Sequence, residues 1–187
     1  MEETPLVKVE IILGQTCISD KNMIHELEQK GYGEIEKEKL FLKQFETLYL
    51  LYVKRLILKK SSKQIDFNSF MSLSQKTNPE ILTKFLIYRD LRNRGYVVKD
   101  GFGFGSDFRV YERGHFGEKG AKFLIFGLDE GQQEKIGNLQ KKIEEITQMG
   151  KEPIIAVIER RGEIIYYKIN RMNFNENKAR LEESFQL

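Results

Sequence analysis

The chain has no tryptophan, one cysteine (Cys17), two histidines (His25 and His115) and three prolines in 187 residues. One cysteine rules out an intrachain disulfide and a zinc site built on paired thiolates. Two histidines are too few for a histidine-rich metal centre. No apolar run approaches the roughly 18 residues that a bilayer-spanning helix needs, and the acidic opening MEETPLVKVE has no signal-peptide core. These absences lead to the expectation of a cytoplasmic protein with no membrane partner, no metal and no cofactor. A strong charge imbalance is also missing, since 31 Lys and Arg face 28 Asp and Glu for a net +3. A nucleic-acid partner is therefore permitted, and would have to rest on local clustering of the cations. No repeat of fixed period occurs.

Hydrophobic residues make up 40% of the chain, enough for a substantial core, and the length allows one large domain or two small ones. Over the first 77 residues short strands alternate with short helices. LVKVEIIL at 6–13 alternates like a strand, Ser19 or Asp20 can cap a helix that Gly31 ends, and Leu40 to Leu42 read as a strand. KQFETLYLLYVKR carries Phe45, Leu48, Tyr49 and Tyr52 at helical spacing, LIL at 56–58 reads as a strand, KKSSKQ as a turn, and Asp66 opens a further helix. Asn78-Pro79 predicts a helix start, with Leu82, Phe85 and Leu86 facing the core and Gly95 as the stop. Strands are then expected at 96–99, 107–111, 122–128, 153–159 and 163–169, the last two joined through Arg160-Arg161-Gly162. Ile136, Leu139, Ile143, Ile146 and Met149 mark one amphipathic helix with Gly150 as its stop, and the polar tail reads as a frayed helix. The fold class is α/β (α+β): a small mixed α/β domain at 1–77, then a domain at 78–187 with a mixed sheet and a helix packed on it.

Three constellations could carry chemistry. GFGFGS at 101–106 offers spaced glycines, but the adjoining run DFRVY alternates like a strand. A phosphate loop needs a helix N-terminus there, so a turn that lets two strands pair closely is the better reading. Asp100, Asp107, Asp129 and Glu130 stand near strand ends, as metal-dependent nucleases require, yet Asp100 and Asp107 are equally ordinary turn residues. Tyr111, His115 and Lys151 form the set that a metal-free ribonuclease uses: a base for the 2′-OH, an acid for the leaving 5′-oxygen and a cation for the phosphorane. The three can as readily be a strand-end aromatic, a loop histidine and a cation at a helix C-terminus. Arg89, Arg92, Arg94, Lys99, Arg109 and Arg113, interleaved with Tyr88, Tyr96, Phe102, Phe104 and Tyr111, are what unpaired RNA asks for. A solvated basic face over core aromatics has the same appearance.

The stretch FLIYRDLRNRGYVVKDGFGFGSDFRVYERG resembles the signature of the archaeal tRNA-splicing endonucleases (tRNA-intron endonucleases), and PIIAVIERRGEIIYYKI resembles their final hairpin. KGYGE and ETLYLLYVKR are similar to their N-terminal domain. The resemblance implies a nuclease-like C-terminal domain and assembly as dimers or tetramers. It implies metal-free cleavage of precursor tRNA, or other RNA with a bulge-helix-bulge, to 2′,3′-cyclic phosphate and 5′-OH ends by a Tyr-His-Lys triad. Tyr111 and Lys151 match that triad. At the histidine's place, in the run GAKFLI, stands Gly120, and His115 lies five residues earlier. Near the family's base-gripping arginine stands Glu144, with Lys141 and Lys142 close by, which joins these two lysines to Arg109 and Arg113 as candidate RNA contacts. Glu159 and Glu163 flank the last turn, where the family carries acids that dock on a partner subunit. The missing histidine implies a structural subunit that activates a homologous partner in a hetero-oligomer. The alternatives are a self-sufficient homo-oligomeric enzyme using Tyr111, His115 and Lys151, and a non-catalytic RNA-binding protein on a nuclease scaffold.

Overall fold

The structure, a computed structural model, describes residues 8–12, 15–60, 63–101, 105–129 and 136–170. They build two sheets. The first is six-stranded, in the order β3-β4-β2-β1-β5-β6. Its strands are β1 (Lys8–Ile12), β2 (Gln15–Ile18), β3 (Glu34–Glu36), β4 (Lys39–Leu42), β5 (Ile57–Lys60) and β6 (Lys63–Ile65). Among these described strands only the β1–β5 pair is parallel, and α1 (Lys21–Gln29) and α2 (Gln44–Tyr52) interrupt the strands. The second sheet is five-stranded and mixed, in the order β11-β10-β9-β8-β7. It is built from β7 (Val97–Asp100), β8 (Phe108–Tyr111), β9 (Phe123–Asp129), β10 (Glu152–Ile158) and β11 (Ile164–Lys168). Its parallel pair, β9–β10, is crossed by α5 (Ile136–Gln148), as a parallel connection requires. Between the sheets lie α3 (Phe67–Thr77) and α4 (Ile81–Asn93).

Alternation explains the faces of the second sheet. Phe108, Val110, Ile125, Ala156 and Ile158 point to one side and join the main core, with Tyr88 and Ile87 of α4. Leu124 and Phe126 point to the other side and pack with Ile146 of α5 and with Ile155. The main core continues without a break into the first sheet through Leu40, Leu42, Phe45 and Leu48. At its centre the ring of Phe45 lies 4.9 Å from that of Tyr88 and 5.1 Å from that of Phe108. Each such buried apolar side chain contributes about 1.5–3 kcal/mol, and here those contributions also weld the two sheets together. A polar tie reinforces the weld. Buried Glu46 accepts the N–H groups of Gly33 and Lys43, Arg92 donates twice to the Lys30 carbonyl, and Lys99 donates to the Gly33 carbonyl.

Several elements depart from the sequence reading. The expected turn at 59–64 supplies hairpin arms instead, with Lys59 pairing Gln64. β3 is an added edge strand whose residues are all exposed. Asn78 closes α3 rather than opening α4. Its side chain and carbonyl accept from Glu80 and Ile81, and the Asn78-Pro79 pair becomes the corner between two helices. Rotating the start to Ile81 buries Ile81, Phe85, Ile87 and Tyr88 and leaves Leu82 on the outside. Met149 falls beyond α5 and is exposed as well. The tail expected to be a frayed helix lies outside the described residues.

Glycine chemistry at 101–106 is local. Gly101 N–H donates to the Asp107 carbonyl, and a Cβ at Gly101 would fall 1.8 Å from the Ser106 oxygen. Only a residue without a side chain lets the chain turn this tightly. Phe102 to Phe104 lie outside the described residues; from Gly105, Ser106 and Asp107 lead into β8 with no helix start among the described residues.

Candidate active site

The cleavage chemistry suggested by Tyr111 and Lys151 requires both on one face. The strand register meets that requirement. Val110 pairs with Phe123 across β8–β9, and Phe123 pairs with Glu152 across β9–β10. Lys122, one residue before β9, donates its N–H to the Val110 carbonyl and accepts the Glu152 N–H, each at 2.9 Å. Tyr111 and Lys151 therefore stand one residue beyond the same row, on either side of the β9 entrance, and share the face of Arg109, Leu124 and Pro153. Two strand spacings put their backbones roughly 10 Å apart. That gap suits two long side chains reaching towards one phosphate. Both residues are half-buried, so neither is sealed in the core. The Tyr111 ring meets Phe116 edge-on at 5.0 Å.

Lys151 directly follows the turn that ends α5, and its ammonium donates to the Ala121 carbonyl. The neighbouring Gly120 has no left-handed requirement. A Cβ built there would lie 3.8 Å from the Lys151 Nζ, with no other atom beyond its chain neighbours within 4 Å. Position 120 thus faces the amine at ordinary van der Waals distance.

His115 is held differently. It sits in the turn after β8, its N–H donates to Glu112, and its carbonyl accepts from Glu118 and Lys119. Its Nδ1 is 3.8 Å from the Glu118 carboxylate and is buried without a hydrogen-bond partner. Among the described residues neither a hydrogen bond nor an ion pair links it to Tyr111 or Lys151. Spacing along the chain could not foresee the Glu112–Lys122 ion pair that closes this turn. The pair holds the Glu112 carboxyl below its usual range and pushes the Lys122 amine up.

The remaining candidates are spread over the surface. Arg109 lies on the Tyr111 face, 3.9 Å from Glu34 of the first sheet. Its neighbour in the ladder is Lys99, whose amine is held below the usual lysine range by burial. Arg113 stacks on Tyr96 at 4.8 Å. On α5, Lys141 is exposed, while Lys142 reaches to 5.6 Å from the Phe126 ring. Glu159 and Glu163 bracket the β10–β11 turn, where the Glu159 N–H donates to the Glu163 carbonyl at 2.9 Å. A cleft of about 400 Å³ opens between the two sheets and is lined by Lys43, Gln44, Thr77, Asn78, Lys84 and Asp100.

The acids considered for metal binding have structural partners. Asp100 pairs with Lys43 at 3.3 Å and Asp107 with Lys84 at 3.0 Å. Asp107 also accepts the Gly127 N–H, and Asp129 accepts the Thr83 hydroxyl. No cluster of three metal-ligating side chains occurs among the described residues, and Glu130 lies outside them. No helix among the described residues is long and apolar enough to cross a membrane.

A two-sheet α/β protein with a phenol and an amine flanking one strand entrance is the arrangement these residues define. The sequence model of the tRNA intron endonuclease catalytic C-terminal domain matches residues 81–166, and that of the tRNA intron endonuclease N-terminal domain matches residues 8–71. The chain is 32% identical over 153 residues to the tRNA-splicing endonuclease of Methanococcus vannielii, covering 81% of this chain and 86% of that relative. It is 31% identical over 163 residues to that of Thermococcus onnurineus, covering 86% and 94%, and 30% identical over 145 residues to that of Pyrococcus furiosus, covering 78% and 84%. The chain belongs to the tRNA intron endonuclease family.

Proposed function

We propose that this chain is a structural, partner-activating subunit of a tRNA-splicing endonuclease that cuts precursor tRNA at bulge-helix-bulge junctions without metal. In such a cut the 2′-oxygen loses its proton to a base and attacks the adjacent phosphorus. The 5′-oxygen leaves with a proton from an acid, which yields a 2′,3′-cyclic phosphate and a 5′-OH. In this reading Tyr111 takes the first proton and Lys151 holds the phosphorane charge. The supporting observation is the approach of Gly120 to the Lys151 amine, which lies 3.8 Å from a Cβ built there. The family's acid would occupy that approach, and glycine has no proton to give. The 5′-oxygen therefore has no donor in this chain's own cleft. Glu159 and Glu163 on the hairpin turn dock on the partner in this reading.

The test is cleavage of a bulge-helix-bulge RNA in EDTA by the purified chain, alone and after mixing with a homologous subunit. The expected result is RNA binding without cleavage alone, and cleavage once the partner is present. Full-rate cleavage by the chain alone would overturn the proposal. The self-sufficient reading has one observation in its favour, the unpartnered buried Nδ1 of His115. It requires cleavage by the chain alone that His115→Ala abolishes. Binding with no cleavage under any pairing would leave the RNA-binding scaffold.

A further inference from the structure

On the reading that the partner is RNA, we propose a second RNA contact outside the cleft: a stacking platform for an unpaired nucleobase, formed by Tyr52, Phe67, Phe85 and Arg89. Tyr52 ends α2, Phe67 opens α3, and Phe85 and Arg89 lie one turn apart on α4. The three rings form a closed set, with centroids 6.2 Å (Tyr52–Phe67), 6.0 Å (Tyr52–Phe85) and 5.2 Å (Phe67–Phe85) apart. The Arg89 guanidinium sits 5.7 Å from the Tyr52 centroid and 5.8 Å from that of Phe85. Such a cluster ordinarily sinks into a core. Here Phe85 is buried and forms the floor of the cluster, Phe67 is half-buried, and Tyr52 is 48% exposed beside Leu82, which on the same flank of α4 is 44% exposed.

Half-exposed aromatic surface beside a guanidinium is amphipathic: it offers a π-face, an apolar floor and a positive charge together. Those are the elements on which bases of unpaired strands stack, whatever their sequence. The surrounding charge favours nucleic acid over a protein chain. The segment 47–65, which contains Tyr52, holds Lys54, Arg55, Lys59, Lys60 and Lys63 and no acidic residue. Lys54 follows Tyr52 by two residues and is exposed. Of the two acids that bound this segment, Glu46 is buried and Asp66 is occupied in capping α3 through the Ser69 N–H. Arg55 lies 4.0 Å from Glu26, so phosphates flanking a stacked base would meet mainly the lysines of this segment.

Location separates this platform from the cleavage cleft. α4 covers the sheet face that carries Phe108 and Ile125, whereas Tyr111 and Lys151 share the opposite face. The base bound here belongs to a different stretch of RNA from the scissile phosphate, and the platform contributes to affinity rather than to the chemical step.

Because the chain contains no tryptophan, Tyr52→Trp places a single fluorophore at the site. The full chain with this substitution is titrated with a single-stranded oligouridylate, an oligoadenylate and a bulge-helix-bulge RNA, and binding is measured in parallel by mobility shift. The expected result is quenching of the emission by all three RNAs. Tyr52→Ala and Arg89→Ala should weaken affinity roughly five- to a hundredfold, the range for one stacked base, while Tyr52→Phe stays within about threefold of the parent. Mobility-shift binding with unchanged emission and unchanged affinity in Tyr52→Ala and Arg89→Ala would overturn the platform and leave the RNA reading standing. Emission that responds to protein concentration but not to RNA would assign the patch to a protein contact and overturn it too. Absence of RNA binding in every variant and in the parent would remove both readings.

Discussion

Replacing Gly120 with histidine should turn a silent cleft into a cutting one. The space is available: a Cβ at 120 approaches the Lys151 Nζ at 3.8 Å and meets nothing else within 4 Å, and the backbone there is not left-handed. A substitution compatible with the backbone shifts stability by less than about 1 kcal/mol, so the variant should fold. A positioned general acid contributes about 10²- to 10⁴-fold, which corresponds to roughly 3–5 kcal/mol of barrier at 1.36 kcal/mol per decade. Single-turnover cleavage of a bulge-helix-bulge RNA in EDTA, with no partner subunit, should rise by that factor. The new imidazole lies beside an ammonium, so its pKa should fall below the free value of about 6.5. An acid works only while protonated, so the gained rate should decline as pH rises through this lowered value. Adding Tyr111→Phe should remove the gain. If Gly120→His folds and binds RNA but cuts no faster than the parent, the vacancy at 120 is not what silences the cleft.

The packing yields three further expected outcomes. Gly101→Ala should destabilise the protein by more than about 2 kcal/mol in chemical denaturation, because its Cβ would stand 1.8 Å from the Ser106 backbone oxygen. Tyr88→Phe should raise stability by about 1 kcal/mol in the same assay, since the Tyr88 hydroxyl is fully buried without a hydrogen-bond partner and its removal ends a desolvation cost. Burial raises the Glu46 carboxyl above its ordinary 4.5, despite the Gly33 and Lys43 N–H groups that bind it. The folded state then holds this proton more tightly than the unfolded chain, so the group's contribution is fully present below pH 4.5 and is lost as pH rises through the folded value. Relative to the parent, Glu46→Gln should show a flatter fall in Tm as pH rises above about 4.5. A parallel pair of curves would remove Glu46 as the cause.

The second sheet was legible because its strands carry strong signals, alternating in FRVY and continuously apolar in PIIAVI, bounded by glycine and charged turns. The first sheet was harder. Glu34 to Glu36 has no apolar alternation because all three residues face solvent at an edge, and pairing with β4 alone holds them. Asn78-Pro79 carries a genuine helix-start pattern, yet it serves as a corner. From Ile81 onward α4 buries Ile81, Ile87 and Tyr88 completely, while the Asn78 side chain still accepts the Glu80 N–H.

The candidate site divides along the same line between what is local and what is not. Residue types at 111 and 151 can be read from a sequence. Their meeting on one face depends on two register choices made far apart in the chain, through β8–β9 and β9–β10. The register is set by core alternation: slipping β10 by one residue would turn Ala156 and Ile158 out of the main core and carry Lys151 to the wrong face. The same contacts that stabilise the sheet therefore set the phenol and the amine opposite one another. Position 120 lies in the turn before β9, where a Cβ would meet, among the described residues beyond its chain neighbours, only the Lys151 amine. A change of residue at 120 can thus leave the fold and the Tyr111–Lys151 arrangement intact, which is what the partner-activating reading requires.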